Sequence, residues 1–290
     1  MRITTGLTVL LALLAAPAFA ATLIVEGVAS PAWVERAGTA ERVPLQVGMA
    51  LEDKDTIRTG RGSRALLRMA DGSAVKLGED AVLALDDLSE KQGDRARKIV
   101  TASLDVVRGA FRFTTGVFAT RQADRNVRIR VTTVTAGIRG TDLWGKSDAT
   151  RDIVCLIEGR ISVNHAQTGE FTMSDPLAFF IAPRDAQPLP VGTVDRKQLV
   201  QWAAETELGT VGGGARRGGR FNVVASVSAD QQAALRDYDT LRAAGYPAVI
   251  QPVKGAEYRV RIVNLPSQND AQAMVEKLKA LGMTQAAVGK

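Results

Sequence analysis

Cysteine and histidine are nearly missing from this chain: Cys155 and His165 stand alone among 290 residues. A single cysteine cannot close an internal disulfide, so stability has to come from burial. Zinc sites draw three or four ligands from Cys, His and carboxylates at short spacing, and no such set is present. Neither a metal nor a cofactor is expected. A Cys–His nucleophilic pair is formally possible, but the local pattern argues against it. Glu158-Gly159 reads as the two-residue turn of a hairpin joining 153–157 to 160–164, with Leu156 opposite Ile161 and Val154 opposite Val163 on one apolar face. Cys155 then points to the other face beside Ser162, several residues from His165. Wall hydrolysis would need two acids in one cleft. Asp86-Asp87 and Glu79-Asp80 are adjacent pairs on strands, so the members of each point to opposite faces. The chain is expected not to be an enzyme.

Long apolar runs are also lacking. A bilayer span takes about 20 apolar residues, and nothing after residue 20 approaches that. Residues 1–20 have the pattern of a signal peptide instead: Arg2, an apolar stretch over 7–16, a helix-breaking Pro17, then Ala18-Phe19-Ala20. Cleavage is expected between Ala20 and Ala21, and no cysteine follows to carry a lipid. The mature chain is therefore expected to be periplasmic, with no transmembrane segment. Its formal charge is +6 with a pI near 9.7, and loss of Arg2 brings the charge to +5. Such a balance ordinarily points to nucleic acid. Export makes anionic lipid headgroups and acidic wall polymers the better match, and no nucleic-acid partner is expected.

What the chain does have, over 21–192, is a period of two with turn signals every eight to twelve residues, the mark of an all-β domain. Leu67 and Met69 alternate with polar residues, and an odd-length loop Asp71-Gly72-Ser73 would set them opposite Leu77 and Val75. A second hairpin is predicted to turn at Arg108-Gly109, placing Val106 opposite Phe111 and Leu104 opposite Phe113. Val127, Ile129 and Val131 alternate with Arg128 and Arg130, which gives a strand with one wet face. In Gly137-Ile-Arg-Gly-Thr-Asp142 the glycines permit φ > 0 at a strand switch, and Asp142 is expected to bond backbone amides there.

The run Leu51-Glu-Asp-Lys-Asp-Thr-Ile-Arg-Thr-Gly60, then Ser63-Arg-Ala-Leu-Leu-Arg-Met-Ala-Asp-Gly-Ser73, resembles the opening of FecR-type domains. Gly109-Ala-Phe-Arg-Phe113, the 137–142 segment and Val154-Cys-Leu-Ile-Glu-Gly-Arg-Ile-Ser-Val163 follow in the family's order. The resemblance implies a short-stranded β-domain, sandwich or solenoid-like, outside the cytoplasm and used for sensing or protein contact. FecR-type regulators of sigma factors carry a cytosolic segment ahead of a membrane span. Neither is legible here, so only the folded module is carried over.

Residues 193–220 form a helix and a linker. Leu199, Trp202, Ala203 and Thr206 share one helix face, with Asp195 near the N-terminus, and the helix is expected to pack on the β-domain as a clasp. The Gly- and Arg-rich stretch over 209–220 is expected to be a flexible basic tether.

Residues 221–290 contain a duplication. Leu241-Arg-Ala-Ala-Gly245 recurs as Leu278-Lys-Ala-Leu-Gly282, an offset of 37. At that offset Ala234, Tyr238, Leu241 and Ala244 map to Ala271, Val275, Leu278 and Leu281, all at helical spacing. Alternating strands flank each helix, giving an α+β ferredoxin-like βαββαβ sandwich with one open sheet face. That pattern is similar to the SPOR domain, whose open face binds peptidoglycan glycan strands. The resemblance rests on Phe221-Asn-Val-Val-Ala-Ser226 and Tyr258-Arg-Val-Arg-Ile262. This chain departs from the family in having Val224 where a glycan-facing Gln is usual, Glu257 where an aromatic often sits, and Val263-Asn264-Leu265 for Gly-Pro-aromatic. By alternation Val223, Ala225, Val260 and Ile262 face the helices. Asn222, Ser226, Glu257, Arg259 and Arg261 then form the candidate glycan-binding set. The leading expectation is an envelope protein that binds glycan and presents the FecR-like domain to an envelope partner. The alternative is a protein–protein adaptor whose SPOR-like fold no longer binds glycan.

Overall fold

The computed structural model describes residues 23–39, 41–92, 98–116, 123–253, 255 and 257–289. The signal peptide and its cleavage site at Ala20 and Ala21 lie outside the described residues.

Two β-sheets enclose the main core. In the first, Leu23–Ala29 is flanked on one side by Ala50–Leu51 and Gly214–Arg216. The order then continues Arg64–Met69, Ala74–Leu77, the second half of Lys98–Thr114, Asp142–Ser147, Arg151–Glu158, Ala178–Pro183 and Gly192–Thr193. The second runs Arg42–Pro44, Ala32–Glu35, Thr56–Thr59, Val82–Gln92, the first half of Lys98–Thr114, Ala123–Val131, Val134–Ile138, Ile161–His165 and Gly169–Met173. Leu67, Val75, Phe113, Leu143 and Leu156 of the first meet Ile57, Leu83, Leu104, Ile129 and Val163 of the second in one buried cluster. Alternation holds where it is clearest: Val127, Ile129 and Val131 are buried, whereas Arg128 and Arg130 are exposed.

Two predicted hairpins turn out to be crossings between the sheets. Lys98–Thr114 is one strand, pairing through Arg108 with the second sheet and from Gly109 with the first. Gly109 bends it at φ +90 against Ala81. Likewise Arg151–Glu158 lies in the first sheet and Ile161–His165 in the second, with Gly159 (φ +95) at the arch. A shared core gives both strands the same buried alternation that a hairpin would, so periodicity fixes faces and leaves the partner open. The hairpin after Met69 is present with an odd loop, but its register is Leu67↔Val75 and Ala65↔Leu77.

The first sheet is covered on its outer side too. Residues 153–157 form an unbroken apolar run, as expected of a strand buried on both faces. Trp144, Ile153 and Cys155 lie under helix α1, Arg196–Ala204, which Asp195 caps by accepting from the Gln198 N–H at 2.9 Å. Trp202 stacks on Trp144 with ring centroids 4.6 Å apart and 2° between planes, a contact worth ~0.5–1.5 kcal/mol beyond its buried area. Lys146 donates to Glu205 at 2.8 Å, and Lys76 to Glu207 at 2.5 Å. The helix is the clasp that its apolar face suggested.

The stretch expected to be a free tether is ordered instead. Gly214–Arg216 pairs antiparallel with Leu23–Ala29 and buries Ala215, and the Arg217 N–H donates to the Glu26 carbonyl at 2.9 Å. Glycine makes this fit: Gly213 has φ +75 and sits against Met274, where a side chain would be strained and crowded. Composition read as flexibility was thus selection for close backbone approach. Trypsin should leave the bonds after Arg216 and Arg217 intact in the folded chain, and the chain should melt in one transition. Early cutting there, with two separate melts, would show a free tether.

The C-terminal unit has sheet order Val249–Val253, Glu257–Leu265, Phe221–Ser228, Ala287–Val288, with helices α2 (Gln231–Ala243) and α3 (Gln268–Ala280) on one face. This is the predicted ferredoxin-like arrangement. Ala234 and Leu241, with Ala271, Val275 and Leu278, are buried as the duplication required. Val223, Ala225, Val260 and Ile262 face the helices, each fully buried. The unit meets the β-domain through its helix layer. The Ala32 N–H donates to the Gly245 carbonyl at 3.1 Å, the Gly213 N–H to Asp270 Oδ1 at 3.2 Å, and Lys277 Nζ to the Gly212 carbonyl at 2.9 Å.

Candidate glycan-binding face

Because the helices and helix ends make those contacts, the opposite sheet face stays uncovered, with Gln251, Glu257 and Arg259 exposed. Arg259 and Arg261 project from the inner strand Glu257–Leu265, alternating with buried Tyr258-side positions Val260 and Ile262 as the sequence implied. Arg259 has no side-chain hydrogen bond or ion pair among the described residues. Arg261 is more confined: Nη1 donates to Gln251 Oε1, and Nε is buried without a partner among the described residues.

The remaining candidates divide. Glu257 is exposed at the strand end opposite Val253. Asn222 is half-buried; its carbonyl accepts from the Gly289 N–H at 2.8 Å, and its side chain leaves no room for a Cβ at Gly289. Ser226 is displaced from the set. The register gives Val224↔Arg261, but a bulge at Ala225 then gives Ser226↔Val260 and Val227↔Arg259. A bulge sets two residues against one and reverses the alternation beyond it. Ser226 accordingly lines a hollow with Ala233, Asp237 and Met283 on the helix side, where its hydroxyl is buried with no partner among the described residues. Val227, 42% exposed, stands beside Arg259 instead.

Two members were missed. Val249↔Arg261 and Gln251↔Arg259 place the edge strand on the same face. The odd-length loop around Gly255 carried that signal, since it fixes Val253 opposite Glu257. The face is therefore more apolar than alternation alone suggested, with Val224, Val227 and Val249 around two guanidinium groups.

The structure puts the Cys and the His considered for catalysis on different sheets. Cys155 is fully buried beneath α1, its thiol pushed up to about 12 by burial and then by the nearby Asp142 charge. It belongs to the first sheet and His165 to the second. Asp142 does not bond turn amides. Its two oxygens accept from Arg112 Nε at 2.9 Å and Nη2 at 2.6 Å, a bidentate pair that also holds the Arg112 guanidinium charged. Among the described residues no group of His, Cys, Asp and Glu is placed to hold a metal, and no helix is long and apolar enough to cross a membrane.

Comparison with known proteins places two family models on the chain: FecR protein over residues 55–162 and SPOR domain over residues 218–289. No curated protein matches it. Two crystal structures of a proposed anti-sigma factor from Parabacteroides distasonis, at 1.65 and 2.50 Å, are similar in part. The first has 16% identity and a TM-score of 0.41, covering 51% of this chain and 64% of that one. The second has 13% identity and a TM-score of 0.40, covering 64% and 73%. The chain thus spans slightly less than two thirds of the first of these.

Proposed function

Since the chain carries a FecR domain followed by a C-terminal SPOR domain, we propose that it is an exported, non-enzymatic periplasmic protein that binds peptidoglycan glycan strands through the open C-terminal sheet face and uses its β-domain for sensing or partner contact. The observation that carries this reading is the uncovered face itself: the C-terminal unit is held by its helix layer, and Arg259 is exposed with no ion-pair partner among the described residues. A guanidinium offers five fixed donors to sugar hydroxyls and acetamido carbonyls, and a flat side on which a pyranose can rest. Val224, Val227 and Val249 supply apolar ground for the ring beside it.

Val224 stands where a side chain able to donate and accept would add a hydrogen bond worth ~0.5–1.5 kcal/mol. Binding is thus expected to be about two- to tenfold weaker than with that bond present. Co-sedimentation of the mature chain with amidase-treated sacculi tests the face. Val224→Gln should tighten binding by that factor, and Arg259→Ala combined with Arg261→Ala should abolish it. A folded double variant that still pellets would sink the assignment. The apolar positions Val224 and Val227 also suit a protein partner. If neither the wild-type chain nor Val224→Gln binds sacculi, that adaptor reading replaces the glycan one.

A further inference from the structure

Away from the open C-terminal face, a cavity of about 430 Å³ opens beside helix α1 on the outer side of the first sheet. That size lies within the ~300–1,000 Å³ of small-molecule sites. Three aromatic side chains contribute to its wall: Trp144 and Trp202, stacked on each other, and Phe179, edge-on to Trp202 at 6.1 Å. Trp144 is fully buried, yet its Nε1–H has no acceptor among the described residues. Buried donors nearly always find a partner, and one that does not calls for an explanation such as a ligand.

The polar part of the wall identifies the chemistry. Lys146 and Arg151 are balanced by Asp148 and Asp195, so the cavity offers no net charge to hold an ion. Lys146 is already engaged by Glu205, and Asp148 accepts from the Thr150 and Arg151 N–H groups at 2.8 and 3.0 Å. The Gln198 carboxamide, on the first turn of α1, has no partner among the described residues, because Asp195 takes only its backbone N–H. Planar carboxylate, amide and guanidinium groups next to indole are the combination that suits a ring bearing hydroxyls on its rim and C–H groups on its faces.

We infer that this cavity binds a neutral saccharide of one or two pyranose rings, packed against the accessible part of Trp202 and hydrogen-bonded to the Gln198 carboxamide. The site belongs to the β-domain and stands apart from the glycan-strand face, so the two can fail separately. The mature full-length chain would be titrated with glucose, N-acetylglucosamine and chitobiose, followed by tryptophan emission and calorimetry. Two of the three tryptophans line the cavity, so a saturable emission change is expected with at least one sugar. Gln198→Ala should weaken that binding about two- to tenfold, the loss of one hydrogen bond. Ile181→Trp, which fills the cavity from its wall, should abolish it, with melting curves confirming the fold of both variants. Arg259→Ala with Arg261→Ala should leave the titration unchanged while removing sacculus binding. No saturable change with any of the three sugars, or unaltered affinity in both cavity variants, overturns the inference.

Discussion

Gly109→Val should destabilise the chain by roughly 2–6 kcal/mol, the sum of a strained positive φ at ~1–3 kcal/mol and overpacking at ~1–3 kcal/mol. The position has φ +90, which a β-branched residue avoids. A Cβ there would also sit 2.5 Å from both Cα and Cβ of Ala81, which is itself fully buried and cannot move aside. A domain with ~5–15 kcal/mol of total stability would be unfolded or nearly so. Gly62→Ala is the control: its φ is +65, but nothing lies within 4 Å of the added carbon, so only backbone strain of about 1–2 kcal/mol applies. Urea unfolding measures both. Equal losses at the two sites would mean that the crossing at Gly109 is not a tightly packed hinge between sheets.

That crossing marks the limit of what the residues alone reveal about the β-domain. Alternation assigned the faces correctly along 127–131 and at Leu104, Val106, Phe111 and Phe113, all buried. It could not tell whether the chain folds back within a sheet at Arg108-Gly109 and Glu158-Gly159 or passes to the other sheet. The difference lies in long-range pairing, such as Leu143↔Phe113 and Ala136↔Val163, which no local window contains. One clue was present: a strand buried on both sides reads as the continuous run at 153–157, and a hairpin with one wet face does not.

The C-terminal unit was more legible, because its two helices repeat one buried stripe at a fixed offset and helical spacing is a local signal. The misplaced residue was Ser226. Nothing in Phe221-Asn-Val-Val-Ala-Ser226 announces the bulge at Ala225, which shows only in the long-range register against Glu257–Leu265. The glycine-rich stretch failed for a different reason. Low side-chain volume is shared by flexible tethers and by backbone that must lie flush against a neighbour, and Gly213 against Met274 is the second kind.

The other large effect is expected at Asp152, whose replacement by alanine should remove about 3–5 kcal/mol, the range for breaking a buried charged pair. Its side chain is fully buried at one end of the sandwich. Oδ2 accepts from the Thr133 N–H at 2.9 Å and from Thr133 Oγ1 at 2.6 Å, while Oδ1 accepts from Arg184 Nη2 at 3.0 Å. Thr133 lies in the turn between two strands of the second sheet, and Asp152 and Arg184 belong to the first sheet and its margin. One carboxylate therefore ties the sheets together. Removing it strands the Thr133 donors and leaves a guanidinium that is three-quarters buried with neutral acceptors alone, Ser147 Oγ at 2.9 Å and the Asp148 carbonyl at 3.1 Å, which is the expensive way to lose a hydrogen bond. Asp152→Asn keeps one acceptor for Thr133 and should cost less. The exposed pair Lys54–Asp86, with both side chains more than half accessible, is the comparison, and Asp86→Ala should change stability by under ~1 kcal/mol. Chemical denaturation of the three variants distinguishes them. A loss at Asp152→Ala no larger than at Asp86→Ala would show that the sheets are held by their apolar core alone.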